Sequence, residues 1–216
     1  MTDGNIMDPS VKDTFSVNFL KEDFNQCFQM LRHYDLLNWE ITKFSFVELL
    51  ISVSCVWTLY TFSINPSNFQ TLIANISVWL IPIILSMSYI FSLLASFLIS
   101  RNRVYFVKTA KYLNEHRQFS LSNQPLGFTN ETKYYTSLDF PNAFDPCSTH
   151  LVSLYVILFI GTIFLAIFFY FFFAYFHFPN LFSIIISIFI GCLSFIINLF
   201  FLIIYLKKQD KGFGNK

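Results

Sequence analysis

Charged residues are scarce in this sequence. They make up 12% of its 216 residues, whereas hydrophobic residues make up 55%. Soluble domains average about 25% charged residues. A chain with so little charge lacks the polar surface to cover its apolar side chains in water, so the composition excludes a soluble globular domain. The formal net charge of +1 provides no bulk attraction for nucleic acid, and no nucleic-acid partner is expected.

Cysteine pairs and catalytic motifs are also lacking. The four cysteines form no C-x-x-C pair, so we expect no disulfide framework, no metal site and no cofactor. The sequence contains no H-E-x-x-H, no Gly-rich phosphate loop and no G-x-S-x-G motif. Its first residues lack a basic segment followed by an apolar run, and no cleavable signal peptide is expected.

Four long apolar stretches are the main feature that the sequence does have. A helix needs about 20 apolar residues to cross the hydrocarbon core of a bilayer. The qualifying stretches are 44–64, 72–100, 151–176 and 181–206. "NPSN" and "HFPN" separate the members of each pair, because Pro cannot continue a helix and Asn tolerates turn geometry. The sequence therefore predicts an all-α integral membrane protein with four transmembrane helices, of which the third, almost wholly bulky and apolar, should face lipid most.

The basic residues define the expected orientation. All fourteen Lys and Arg residues lie before the first span, between the second and third, or after the fourth, and neither short turn contains one. Cytoplasmic segments carry the excess of Lys and Arg. We therefore expect a multi-pass protein of the cell inner membrane with both termini and the central loop in the cytoplasm.

The segments outside the spans differ in character. Segments 19–43 and 101–119 contain no Gly or Pro and should continue the first and second spans as one long antiparallel helical hairpin that extends into the cytoplasm. The remaining segments are expected to be a disordered N-terminus, a cytoplasmic loop and a C-terminal tail, at 1–18, 120–149 and 207–216.

Glu48 lies close to the start of the first span, and its helical position predicts that it faces the bundle. Residues along 19–64 recur at 3–4 spacing, which places them on one seam: Leu20, Phe24, Cys27, Leu31, Tyr34, Asn38, Ile41, Ser45, Glu48, Ser52, Cys55, Leu59 and Phe62. Two interpretations stay open. In the first, Glu48 is an interfacial carboxylate that is hydrogen-bonded to neighbouring helices or paired with a basic side chain such as Arg101. In the second, it is part of an ion path, because intramembrane charges are often functional.

Small polar residues form stripes on two other spans. They are Ser88, Ser92, Ser96 and Ser100 on the second, and Ser183, Ser187, Gly191, Ser194 and Asn198 on the fourth. Such stripes favour close helix packing, or alternatively a hydrated path formed when several copies meet. The predicted polar path or packing seam consists of Glu48, Ser52, Ser92, Ser96 and Asn198.

Basic side chains near the spans are candidate contacts for a cytoplasmic partner or for anionic lipid. They are Arg32, Arg101, Arg103, Lys108 and Lys111. An interfacial enzyme would instead require His33, Asp35, Glu115 and His116 to converge, which their spacing on two helices does not favour.

Two cytoplasmic stretches, "RHYDLLNW" and "RNRVYFVKTAKYLNEHR", resemble segments of small bacterial integral membrane proteins without an assigned activity. The layout of few spans, no outside domain and a helical cytoplasmic region is similar to that of membrane effectors of prokaryotic antiviral systems, an analogy of architecture alone. The leading expectation is a non-enzymatic effector or channel-like subunit that associates with copies of itself through the Ser-rich and Gly-rich faces and responds through its cytoplasmic helices to a protein or small ligand. The alternatives are an anchoring subunit that recruits a cytoplasmic partner and the interfacial enzyme.

The orientation is testable with reporter fusions. Green fluorescent protein fused after Lys216 should fluoresce, because it folds in the cytoplasm, and alkaline phosphatase fused at Asn180 should be active, because it requires the outside compartment. Exchanging the two reporters provides the control and should silence both. Phosphatase activity from the fusion after Lys216 would contradict the orientation.

Overall fold

The computed structural model describes residues 9–64, 70–122, 131, 136–137 and 139–214. Within these ranges the regular secondary structure consists of four helices: α1 (Pro9–Ile64), α2 (Gln70–Ser122), α3 (Thr149–Tyr175) and α4 (Asn180–Gly214). Each contains a segment long and apolar enough to cross a membrane. The predicted all-α class with four apolar helices is confirmed, whereas the extension of a hairpin into the cytoplasm stays a prediction.

Helix α1 begins earlier than the sequence pattern predicts. The expectation of disorder over 1–18 is wrong for residues 9–18, which form the first turns of α1; residues 1–8 lie outside the described ranges. Pro9 suits the first helical position, because its missing N–H would have no helical partner there. No Gly or Pro follows until after Ile64, so the helix continues without interruption.

Two further helix ends extend into segments predicted as loop or tail. Helix α2 continues to Ser122, past the predicted boundary at 119, and it accommodates Pro82 in its interior. Proline is tolerated in membrane helices because neighbouring groups satisfy the freed backbone carbonyl. Helix α4 continues to Gly214, with Lys211 in its last turn. A positive charge at this end of a helix interacts favourably with the helix dipole.

The described chain clusters into two compact units. The first unit comprises Met1–Leu36 and Tyr105–Asn142, and the second comprises Leu37–Val104 and Ala143–Lys216. In the first unit, the rings of Tyr34 and Tyr105 stack at 5.9 Å, and Val107 and Leu113 are fully buried. The side-chain amide of Asn114 donates to the backbone carbonyls of Ser137 and Phe140 at 2.9 and 2.8 Å, which fixes that part of the connection against α2.

The second unit contains the most apolar segments of all four helices. One buried cluster consists of Leu49, Ile81, Leu85 and Phe164, and another consists of Ala95, Ile99, Leu154 and Ile157. Large hydrophobic side chains also cover the outer faces, including Trp57, Trp79, Leu181 and Phe201. An apolar exterior of this kind is stable in lipid and not in water.

The predicted seam on α1 is correct only in part. Ser45 and Ser52 are buried, but Cys55 is exposed and Phe62 is 37% exposed. Beyond Ser52 the packed positions are Val56 and Leu59, which contact the Leu49 cluster. The step from 52 to 56 follows the 3.6-residue turn of a straight helix, whereas the predicted step to 55 assumed coiled-coil periodicity.

Helix α3 is more deeply packed than its composition suggested, so the prediction that it faces lipid most is wrong. The buried share of its apolar segment is 28%, compared with 11% in α4. Gly161 explains the close approach, because a Cβ atom at this position would overlap the side chain of Ser92 on α2. Glycine therefore allows the α2 backbone to approach α3 closely.

Substitution of Gly161 tests this contact. Gly161→Ala should lower the free energy of unfolding by about 1–3 kcal/mol, because overpacking forces neighbouring atoms apart. Ser92→Gly in the same chain should restore part of the loss, since the overlapping atoms are removed. Thermal unfolding in detergent provides the measurement. Gly191→Ala, whose nearest atoms would be 3.0 and 3.1 Å away, is the graded control and should cost less; equal losses, or no rescue by Ser92→Gly, would contradict the proposed packing.

Candidate functional site

Glu48 lies between α1 and α2 in the second unit. Its Oε1 atom accepts hydrogen bonds at 3.0 Å from the hydroxyls of Ser52, one turn along α1, and Ser88 on α2. The two hydroxyl oxygens are 2.7 Å apart. Both serines are nine-tenths or more buried. The predicted inward orientation of Glu48 is thus what the structure has, and Ser88 supplies the partner on the neighbouring helix.

Glu48 is half-buried, and an apolar cluster adjoins its carboxylate. Leu49 follows Glu48, and Leu85 lies one turn before Ser88; both belong to the buried cluster that includes Phe164. The second carboxylate oxygen of Glu48, Oε2, is buried without a hydrogen-bond partner among the described residues. None of the described Lys, Arg or His side chains forms an ion pair with Glu48, so the suggested pairing with Arg101 is not found.

Ser92 and Ser96 do not extend the Glu48 group into a continuous path. The Ser92 hydroxyl donates to the backbone carbonyl of Ile157 on α3 at 2.7 Å. The Ser96 hydroxyl is buried without a hydrogen-bond partner among the described residues. These two side chains therefore line the packed interface of α2, and Ser92 connects it to α3.

Asn198 belongs to a separate polar group formed by α2 and α4. Its side-chain amide donates to the Tyr89 hydroxyl at 3.0 Å and to the backbone carbonyl of Ser194 at 2.9 Å. The Tyr89 hydroxyl and the Ser194 hydroxyl are 2.7 Å apart. Sequence reasoning missed Tyr89, because a tyrosine in an apolar span carries no periodic signal that identifies its hydroxyl as a hydrogen-bonding group.

The small-residue faces pack within the single chain. Ser88, Ser92, Ser96 and Ser100 on α2 are all at least 99% buried. Gly191 on α4 approaches the Thr162 carbonyl and Ala166 of α3. The Ser-rich face of α2 is therefore occupied by contacts within the chain, and it is not available to a second copy. Association of copies itself stays a prediction.

The predicted basic contacts have different environments. In the first unit, Arg32 is exposed and lies over the ring of Phe28, and Lys108 lies over Tyr105; Lys111 is half-buried. In the second unit, Arg101 is exposed, but Arg103 is only 5% exposed and its Nε donates to the carbonyl of Ala143 at 3.4 Å. The prediction of a partner or lipid contact is thus wrong for Arg103, since a multidentate guanidinium is well suited to binding backbone carbonyls within a fold.

The enzyme candidates do not converge. His33, Asp35 and Glu115 are exposed, and within the described ranges no three His, Cys, Asp or Glu side chains come together as metal ligands. His116 instead contacts Asp23, with 2.9 Å between Nε2 and Oδ2. Sequence reasoning did not select Asp23, because its partner lies far along the chain on another helix.

The Asp23 carboxylate organises a polar group in the first unit. Its Oδ2 also accepts a hydrogen bond from Tyr112 at 2.8 Å, and the Tyr112 ring packs edge-on against His116. The hydrogen bond to Asp23, followed by burial, raises the pKa of the Tyr112 phenol. Burial, followed by the charge of Asp23, raises the pKa of the Cys27 thiol. These interactions join α1 and α2 and do not activate a nucleophile, because a raised pKa lowers the thiolate population.

Asp210 on α4 is a second residue that sequence reasoning missed. Its two carboxylate oxygens accept hydrogen bonds from the backbone N–H groups of Ala143 and Phe144, at 2.6 and 3.1 Å. Lys207 lies over the ring of Phe144. The turn before α3 is therefore held against the end of α4.

Comparisons with known proteins provide no family assignment: no protein-family model, no curated protein and no solved structure matches this chain. The proposed function accordingly depends on the residues and their geometry.

The Tyr89 group is testable by removing one oxygen atom. Tyr89→Phe should lower the free energy of unfolding by about 1–2 kcal/mol, because Ser194 and Asn198 lose a hydrogen-bond partner in a part-buried site. Tyr205→Phe is the matched control: its ring packs against Phe97, and the change should stay within about 0.5 kcal/mol. Thermal unfolding of both variants in the same detergent compares them. Equal effects would show that the hydroxyl of Tyr89 contributes no particular stability.

Proposed function

We propose that this chain is a non-enzymatic effector or channel-like subunit of the inner membrane, which associates with copies of itself and responds through its cytoplasmic helices by perturbing membrane integrity. The observation that supports this proposal most directly is the position of Glu48. It is the only charged residue in the four predicted spans. Its carboxylate is turned to Ser88 of α2. Ionisable groups inside membrane helices are costly, and they typically mark sites of ion or proton movement.

The connection between a cytoplasmic signal and the spans would be mechanical. Helices α1 and α2 each contribute residues to both units. In the first unit, Asp23 bonds Tyr112 and His116 across the two helices. A ligand or protein that changes the relative position of the two helices at this pair would act on the same two helices that carry Glu48 and Ser88. An allosteric proposal requires a structural element that can adopt two arrangements, and here that element would be the α1–α2 contact at Asp23.

Association of copies would use faces other than the buried serines. A groove of about 450 Å³ lies on α3 and α4, with Thr162, Ala166 and Gly191 among its lining residues and Phe159 and Phe195 beside them. Small residues flanked by bulky ones favour close helix–helix contact in lipid. We therefore assign self-association to the α3–α4 surface.

The anchoring subunit remains the second candidate, and one observation favours it. A groove of about 700 Å³ in the first unit is lined by Leu20, Phe24 and Phe119, with Lys21 and Arg117 beside them. Such a groove suits a partner segment that carries both apolar and acidic side chains. In this interpretation Glu48 only stabilises the packing of α1 against α2.

Membrane permeability on induced expression tests the leading proposal. The wild-type chain should depolarise cells, as reported by a voltage-sensitive dye, and Glu48→Gln should abolish the effect, because the amide has almost the same shape but carries no charge. Glu40→Gln changes an exposed carboxylate on the same helix and should leave the depolarisation intact.

Serine variants provide a second matched pair. Ser52→Ala removes a hydroxyl that donates to Glu48, whereas Ser54→Ala removes an exposed one that donates to the carbonyl of Leu50. Only the first should weaken depolarisation at equal amounts of protein in the membrane. Cells that keep their potential with the wild-type chain, or that lose it equally with Glu48→Gln, would contradict the effector proposal and favour the anchoring subunit.

A further inference from the structure

The Glu48 group has the composition of a small cation site. Three oxygen atoms, Glu48 Oε1 and the hydroxyl oxygens of Ser52 and Ser88, lie within 2.7–3.0 Å of one another. Each serine oxygen has two lone pairs and a hydroxyl hydrogen that can rotate. Both hydroxyls can therefore turn their lone pairs towards a cation without any movement of the backbone. Hard oxygen donors of this kind suit cations that are not transition metals.

A compensating positive charge beside Glu48 would lower the cost of carrying its charge in the spans. Glu48 forms no ion pair with a cationic side chain of the described chain, and Leu49, Leu85 and Phe164 form an apolar cluster beside it. An isolated carboxylate in such surroundings is strongly disfavoured. Because Glu48 is the only acidic residue of the four predicted spans, one monovalent ion neutralises it, whereas a divalent ion would leave an uncompensated positive charge.

The second carboxylate oxygen favours an alkali ion over a proton. Oε2 of Glu48 is buried and has no hydrogen-bond partner among the described residues. A proton on Oε2 would be a buried donor with no acceptor among the described residues, and a proton on Oε1 would leave Oε2 a buried acceptor with no donor; both arrangements leave one buried group unsatisfied, which is costly. An alkali ion that contacts Oε2 can at the same time be bound by the lone pairs of Ser52 and Ser88, so that all these groups are satisfied together.

We propose that Glu48, Ser52 and Ser88 bind one small alkali cation, of the class of Li⁺ or Na⁺, between α1 and α2. Two carboxylate oxygens and two hydroxyls provide few ligands, and three of these oxygens already lie within 2.7–3.0 Å of one another. Few, closely spaced ligands favour a small cation, because ligand number and spacing decide which cation a site selects. The proposal goes beyond the proposed function, because a bound cation stabilises the contact of α1 with α2 whether or not the chain conducts ions.

The route to the site is polar on one side. Ser45, Thr42 and Asn38 are buried on α1 at successive turns before Glu48. Both polar side-chain atoms of Asn38 lack a hydrogen-bond partner within the described chain, and buried groups of this kind commonly bind water. On the other side, Leu49, Ile81, Leu85 and Phe164 close the interface. The cation would therefore enter from the side of Asn38, which the orientation rule places at the cytoplasmic face.

Carbodiimide labelling of the purified full-length chain in detergent tests the proposal. Dicyclohexylcarbodiimide reacts with a protonated carboxyl group in an apolar site: the acid adds across one C=N bond, and the adduct rearranges to an N-acylurea without loss of atoms. An ion bound to Glu48 competes with the proton and slows the reaction. Mass spectrometry of the peptide that contains Glu48 follows the labelling in choline chloride, KCl, NaCl or LiCl at equal ionic strength.

NaCl or LiCl should slow the labelling of Glu48 about tenfold when its concentration is about ten times the Kd, as mass action requires. KCl and choline chloride should not slow it. Ser88→Ala should weaken the protection by NaCl, whereas Ser54→Ala, which removes an exposed hydroxyl, should preserve it. The wild-type measurement does not depend on the folding of any variant.

Equal labelling in all four salts would overturn the proposal, since it would show a site that holds a proton only or no ion. Protection by KCl equal to that by NaCl would also overturn it, because the site would then not select small cations. Protection in a chain that causes no depolarisation would support the cation site and contradict the effector function. Depolarisation by a chain whose Glu48 is not protected by NaCl would support the effector function and contradict the cation site.

Discussion

The packing of α1 against α2 in the second unit depends on how one carboxylate is accommodated. Glu48 brings a negative charge into helices that are otherwise apolar, and lipid cannot solvate it. The two serine hydroxyls at 3.0 Å satisfy one of its oxygens. This requirement fixes the axial position of α1 relative to α2, since among the described side chains of the second helix only Ser88 supplies a bond to this carboxylate. Apolar side chains could pack in several registers, but the carboxylate selects one.

Small residues extend this constraint to the other two helices. Ser92 sits against the α3 backbone at a point where Gly161 has no side chain. Tyr89, next in sequence to Ser88, bonds Ser194 and Asn198 on α4. Ser88, Tyr89 and Ser92, all within five residues of α2, therefore bind three different helices. In lipid, where burial of apolar surface does not drive association, such close contacts and hydrogen bonds carry much of the specificity.

Much of the fold could be predicted from the sequence, because hydropathy and turn residues determine spans almost independently of tertiary contacts. The orientation of Glu48 towards the bundle followed from helical spacing alone. Its partner Ser88 could not be selected from the four serines of the α2 stripe, because the choice depends on the axial register of two helices. Asp23 with His116, and Asp210 with Ala143, are similarly long-range pairs whose members carry no local signal. The burial of α3 was underestimated because its many phenylalanines suggested exposure to lipid. A single glycine, Gly161, determines how closely its backbone approaches α2, and composition does not reveal this.

A single copy of the chain has a closed interface at the level of Glu48. Glu48 Oε1 and the hydroxyls of Ser52 and Ser88 are mutually engaged, and the cluster of Leu49, Ile81, Leu85 and Phe164 adjoins them. Hydrophobic constrictions exclude water and ions until their walls separate. An ion path through the chain would therefore require α1 to move away from α2 and break the bonds to Ser88. The charge of Glu48 would control this separation. When a cation compensates the charge, α1 and α2 stay together. When no cation does, the cost of burying the charge favours their separation. The same residue would thus link ion occupancy to helix packing, and the effector function would follow from that link rather than from a permanent pore.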